Sequence, residues 1–252
     1  MKNLFFYLGL SVLASTFFLT ACKGSSKAQL TAKAPELIVK QFSAAGTPFE
    51  MQFRAGAAHN YPTFSVWVEN MQGDMIQTLF VTKSLATGYY NYGDAGDGKW
   101  LKVPGRSIRP AALPYWLHKR ERNEDESLMP TPENPVADAY TGATPSGSFM
   151  LKANTKASLP ERFRVLVEVN QPWDWNSFWT NAKYADNADY KSSAQPSVVY
   201  AVDIDLKSPM PQYFLNPIGH GHYAGEDGRL YTDLSGHTTA LQIFQQISLT
   251  LK

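Results

Sequence analysis

The stretch VADAYTGATPSG, Val136 to Gly147, packs two threonines, two glycines and small alanines around one acid. A threonine hydroxyl can accept a transferred group, and a run of small residues leaves that hydroxyl and its backbone open to a second protein. The same residue types also build a tight inter-strand turn. Pro145 follows Thr144 directly and biases it to an extended conformation, and Pro145-Ser146-Gly147 then leads into the next apolar run.

Two further sets of residues could do chemistry. His220-Gly221-His222, with His237 fifteen positions beyond His222 and Glu226-Asp227 between, could bring three imidazoles and a carboxylate to one zinc, copper or iron ion. Pro217, Gly219, Gly221 and Gly225 make that segment read as a loop, in which histidines also serve as turn hydrogen-bonding groups. Trp173, Trp175 and Trp179, in PWDWNSFW, could form a platform for a sugar ring or an isoalloxazine, or plug one end of a sandwich. No Gly-X-Ser-X-Gly elbow and no phosphate-cradling Gly-rich loop occurs, and Asp203 and Asp205 fall on the outer face of an expected strand. The chain therefore reads as a non-enzyme.

These groups need a compartment and a scaffold. Lys2, the apolar run LFFYLGLSVLASTFFL and the small residues before Cys22 stand in the order of a secretory leader. Leu19-Thr20-Ala21-Cys22 resembles a bacterial lipobox, whose cysteine is acylated after cleavage. Cys22 is the chain's only cysteine, so lipidation leaves none for a disulfide or a thiolate site. The expected organisation is a leader over residues 1–21, a flexible tether over 22–36 and one domain over 37–252. KGSSK after Cys22 has no acidic cluster, which fits an outer-membrane anchor facing the periplasm. The whole chain carries 23 basic and 22 acidic residues. Removing the leader takes away Lys2 alone and leaves 22 of each. That balance argues against nucleic-acid binding.

Alternation supplies the scaffold. PFEMQFRA puts Phe49, Met51 and Phe53 on one face. FSVWVEN does the same for Phe64, Val66 and Val68, with Trp67 opposite, and forms a hairpin with MIQTLFV across Gln72-Gly73-Asp74. GSFMLKAN, RFRVLVEVN and SVVYAVDIDL continue the pattern, the last with Val198, Tyr200, Val202, Ile204 and Leu206 on one side, and ISLTLK could close a sheet. RPAALPYWLHKR suggests a short helix or turn interrupted at Pro114, and TTALQIFQQ fits helix and strand alike. Long irregular insertions lie at 82–106, 119–135 and 170–196, the second of them, with its mixed charges, reading as a solvated loop. The expected fold is all-β: an antiparallel, immunoglobulin-like β-sandwich with long loop insertions and at most one or two short helices.

The order VWVEN, RPAALPYWLHKR, DAYTGATPSGSFMLK, RFRVLVEVN with WDWN, PSVVYAVDIDL and GEDGRLYTDLSG resembles the predicted periplasmic family catalogued as domain of unknown function 2271, from about Phe49 to the C-terminus. That resemblance implies an extracytoplasmic β-sandwich engaged in flavin- or metal-linked redox at the envelope. Within it, Asp138-Ala139-Tyr140-Thr141-Gly142-Ala143-Thr144 resembles the flavinylation motif of extracytoplasmic FMN carriers. This second resemblance implies that a dedicated FMN transferase, using FAD, places FMN on Thr144, that Thr141, Gly142 and Ala143 shape the approach, and that Asp138 orients the hydroxyl or takes its proton. Arg120 or Arg122 would then be candidates to meet the phosphate. The expected partners are that transferase, an envelope redox protein and the membrane that holds the lipid.

Overall fold

The computed structural model describes residues 35–93, 103–123 and 125–252; the leader, Cys22 and nearly all of the tether lie outside them. Residues Pro35–Lys252 form one compact unit. Its frame is two facing sheets, as the alternating runs require.

The first sheet has five strands. In spatial order they are β1 (Glu36–Gln41), β8 (Phe149–Asn154), β2 (Pro48–Ala55), β13 (Phe244–Leu251) and β11 (Tyr213–Phe214). The second has six: β12 (Asn216–His220), β10 (Val198–Asp205), β9 (Arg162–Asn170), β3 (Thr63–Glu69), β4 (Met75–Thr82) and β7 (Thr141–Gly142). Phe49, Met51, Phe53, Phe149, Leu151 and Leu249 from the first meet Phe64, Val66, Val68, Leu79, Val165 and Val167 from the second in one core. The rings of Phe53 and Phe149 stack at 4.3 Å and those of Phe64 and Phe80 at 5.0 Å. Truncating any one of these rings to Ala costs about 3–5 kcal/mol.

All pairings between neighbouring strands of the two main sheets are antiparallel except two. β1 runs parallel to β8 and β4 runs parallel to β7, so the departures from the expected antiparallel pattern sit at sheet edges. The closing strand β13 is interior, held between β2 and β11, and TTALQIFQQ divides into a 3-10 turn at Thr239–Gln242 followed by that strand. Leu206, expected inside, lies just past the end of β10 and is exposed. Asp203 and Asp205 do face outward, where they pair with Arg164 and Arg162.

The described parts of the insertions are folded rather than loose. Trp67, Val81, Leu166, Val199 and Ala201 point away from the main core and would leave an apolar outer face on the six-stranded sheet. α1 (Lys83–Thr87) and α2 (Pro114–Lys119) cover it with Leu85, Leu113, Trp116 and Leu117, making a second core. That is why every residue of β3 is buried. β5 (Tyr89–Tyr90) and β6 (Gly105–Arg106) pair within this layer, and α3 (Ala188–Ser193) belongs to the third insertion. Pro114 starts α2 at its first position, where the missing N–H costs nothing, instead of interrupting it. Arg120, expected in a solvated loop, is buried. It donates to Glu126 Oε1 at 2.7 Å and to the Ser127 and Leu128 carbonyls, which commits it to folding its own segment.

Candidate functional site

The DAYTGAT segment ends at an open sheet edge. Asp138–Tyr140 make one 3-10 turn, and Thr141–Gly142 then pair with Val81 and Thr82 as the outermost strand of the six-stranded sheet. A Cβ on Gly142 would lie 2.6 Å from the buried Phe80 ring, so this edge comes close to the core only because position 142 has no side chain. Thr141 is buried. Beyond it the chain turns outward, with Ala143 exposed, Thr144 half-buried and Pro145 buried again. The Lys40 ammonium donates to the Thr141 carbonyl, tying β1 of one sheet to β7 of the other. Phe42 stacks on Tyr140 at 5.0 Å, and Lys156 lies 5.3 Å from the Tyr140 ring centre. The motif's neighbouring cations are thus Lys40 and Lys156; Arg122 turns instead to the Glu126 carbonyl within its own loop.

His220, His237 and Trp179 meet at the other edge of the same sheet. Strands β7 and β12 are separated by five strand spacings, about 24 Å. The segment around His220 is a strand, not a loop: β12 ends at His220, which exchanges two backbone hydrogen bonds with Tyr231. The His220 and His237 ring centres are 4.8 Å apart, and Trp179 packs edge-on to both. His220 Nδ1 lies 2.7 Å from the Gly221 carbonyl, which can only accept, so Nδ1 carries the proton. His222 has the opposite tautomer, because its Nδ1 accepts from the backbone N–H groups of Ala224 and Glu226. Burial lowers the pKa of both His220 and His237, the latter to about 4 with the neighbouring His220 adding to the effect. The Pro196 and Leu234 carbonyls near the ring favour its charged form, while neither His237 ring nitrogen meets hydrogen-bond geometry with a partner. Among the described residues no three His, Cys, Asp or Glu side chains stand together as a metal-holding group.

The three tryptophans do not share a surface. Trp179 is buried, Trp175 is half-buried against Tyr190, and Trp173 is 47 % exposed with a left-handed backbone, φ 63°. Phe178, next to Trp179 in sequence, is exposed, and the Lys183 ammonium sits 3.3 Å from the Phe178 ring centre.

A buried carboxylate lies between these regions and was not evident in the alternation of β9. Glu168 has no exposed surface and points into the second core. It accepts from the Tyr115 and Trp116 N–H groups at 3.1 and 2.7 Å and from the Ser197 hydroxyl at 2.6 Å, capping α2. Burial raises its pKa to about 7 against these three hydrogen bonds, which favour the charged form. A Cβ on Gly221 would approach Pro114, Ser197 and Glu168 within 2.4 to 3.0 Å, so the glycine of the His-Gly-His triplet is required by this cap. The one sequence signal for it was an acid on a strand otherwise apolar on both faces, RFRVLVEVN.

No family model, no curated protein and no solved structure matches the chain. Among the described residues no helix is long and apolar enough to cross a membrane.

Proposed function

We propose that this chain is an exported lipoprotein, anchored through Cys22 to the outer membrane and facing the periplasm, that carries FMN covalently on Thr144 for envelope electron transfer. One observation carries the reading: the flavinylation-like motif sits on the outermost strand of a sheet and turns outward at Ala143–Thr144. Past the end of that short strand Ala143 is exposed and Thr144 half-buried, where another protein's cleft can reach the hydroxyl.

The residues present fit the group. Lys40 and Lys156 supply positive charge beside the motif for a phosphate, and Phe42 with Tyr140 supplies an aromatic face. FMN, once attached, contributes one- and two-electron chemistry, and the protein contributes its position. In the attachment the Thr144 hydroxyl loses its proton and its oxygen bonds to the FMN phosphorus of FAD, while the pyrophosphate bond breaks and AMP leaves. The transferase catalyses that step, so the carrier needs no catalytic residue of its own.

The test is intact mass spectrometry of the chain exported with and without an FMN transferase, beside Thr144→Ala. The expected result is a gain of one FMN less water that requires both transferase and Thr144. No gain, with the transferase active on a known carrier, refutes the reading.

A second reading, a glycan- or partner-binding lipoprotein, draws on Trp173, whose exposed ring and strained backbone are combined in one insertion residue. Retention on a glycan resin that Trp173→Ala abolishes would favour it.

A further inference from the structure

The two main sheets present four edge strands among the described residues, and three of them are blunt. β7 and β11 have two residues each, and β12 carries Pro217 and Gly219. β1 is different: its six residues, ELIVKQ, contain no proline or glycine, and among the described residues it pairs with β8 on one side only. The Glu36 N–H donates to the Ser148 carbonyl, so in this parallel ladder Glu36, Ile38 and Lys40 bond inward to β8. Leu37, Val39 and Gln41 therefore direct their N–H and C=O groups to the open edge, where no described strand meets them. The Leu37 and Val39 side chains stand on the outer face of the sheet, 56 % and 51 % exposed, whereas Ile38 packs against the core. An edge of this length and composition is a template for another strand.

We propose that the strand it takes is β1 of a second copy of this chain, running antiparallel about a two-fold axis at Ile38. The order of residues in ELIVKQ argues for self-pairing. An axis at Ile38 sets Leu37 opposite Val39 twice, and since both direct their backbone groups to the edge, each pair exchanges two N–H to C=O bonds. The same register sets Glu36 opposite Lys40 twice, which matches opposite charges in facing positions, and Ile38 opposite itself. Lys40 keeps its charge while its ammonium serves the Thr141 carbonyl. Moving the axis to Leu37 or to Val39 would instead face Ile38 with Glu36 or with Lys40. In the favoured register the exposed Leu37 and Val39 side chains of both copies form one stripe, continued by Met150 beside Leu37, and two five-stranded sheets become one of ten strands. A contact built on six residues per copy is smaller than the roughly 20–30 residues a side of a stable complex, so the pairing is weak and reversible. It goes beyond the flavin reading and is independent of any modification of Thr144.

Disulfide trapping in the full exported chain tests this. In the proposed pair the two Ile38 residues face each other at a non-hydrogen-bonded position, with Cα atoms about 4.5 Å apart, within the span of a disulfide. Ile38→Cys under mild oxidation should therefore give a dimer, and nothing larger, on a non-reducing gel; the unaltered chain, whose Cys22 is the only other thiol, sets the background. Adding Val39→Pro, which removes a donor from the open edge alone, should abolish the dimer. Glu36→Lys should abolish it too, and Lys40→Glu added to Glu36→Lys should restore it. Leu37 is exposed, so a nitroxide on Leu37→Cys reads the same contact where Ile38→Cys disturbs the core. Spin–spin broadening that Val39→Pro removes is the expected result there. A monomeric Ile38→Cys together with an unbroadened nitroxide at position 37 overturns the proposal, as does trapping that Val39→Pro leaves undiminished.

Discussion

Replacing Glu168 by Gln should remove the pH dependence of stability that one buried position contributes. In the folded protein burial lifts this carboxyl from its ordinary 4.5 to about 7, against the pull of the Ser197, Trp116 and Tyr115 hydrogen bonds. Between those two values the folded state keeps a proton that the unfolded chain has released. The contribution is therefore complete below about pH 4.5 and is lost as pH rises through about 7. At about 1.4 kcal/mol per pH unit the loss reaches roughly 3 kcal/mol. Gln has the same shape and does not titrate, so the variant should gain roughly 3 kcal/mol relative to the unaltered chain between pH 4.5 and 8. For a domain of this size that corresponds to a relative Tm change of roughly 6–12 °C. Urea unfolding of both proteins across that range measures it, and the difference cancels other titrating groups such as Asp174. A flat difference, or one that moves against Gln as pH rises, would show that the three hydrogen bonds outweigh burial and hold Glu168 ionised.

Other outcomes follow from the same packing. Gly221→Ala should lower stability by about 1–3 kcal/mol, measured by thermal melting, because the new methyl meets Pro114 and Ser197 at the cap of α2. Lys119→Met should cost about 3–5 kcal/mol in chemical unfolding, since Lys119 is the ion-pair partner of Glu69, which is almost completely buried and otherwise receives the Trp67 indole N–H. Gly142→Val should abolish Thr144 flavinylation by intact mass, with the edge strand β7 displaced from Phe80. Thr141→Ala, at a buried position before the outward turn, should still accept FMN at Thr144.

The sandwich was readable because alternation reports directly on one buried face. Phe49, Met51 and Phe53, and Phe64, Val66 and Val68, lie in the main core where their spacing places them. The second core was not readable, because Trp67, Leu166 and Val199 occupy positions that alternation assigns to solvent, and only the folded insertion supplies their partners. β12 was missed for a related reason. Pro217, Gly219 and Gly221 read locally as loop, yet pairing with β10 and the bridge to Tyr231 make residues 216–220 extended. The glycine at 221 reflects contact with Pro114, more than a hundred residues away, and not a local turn.

For the candidate sites the division is similar. The residue types of DAYTGAT, the His-Gly-His triplet and the tryptophan-rich insertion are properties of the sequence, and so is the attachment chemistry that a threonine among small residues suggests. Tertiary structure decided their settings: the threonine motif at one edge of a sheet, His220 with His237 but without the lone pair of His222 at the other, and Trp179 inside rather than on a platform. The physical reason is that side-chain chemistry is local, whereas burial, tautomer and the identity of neighbours are set by contacts between segments distant in the chain.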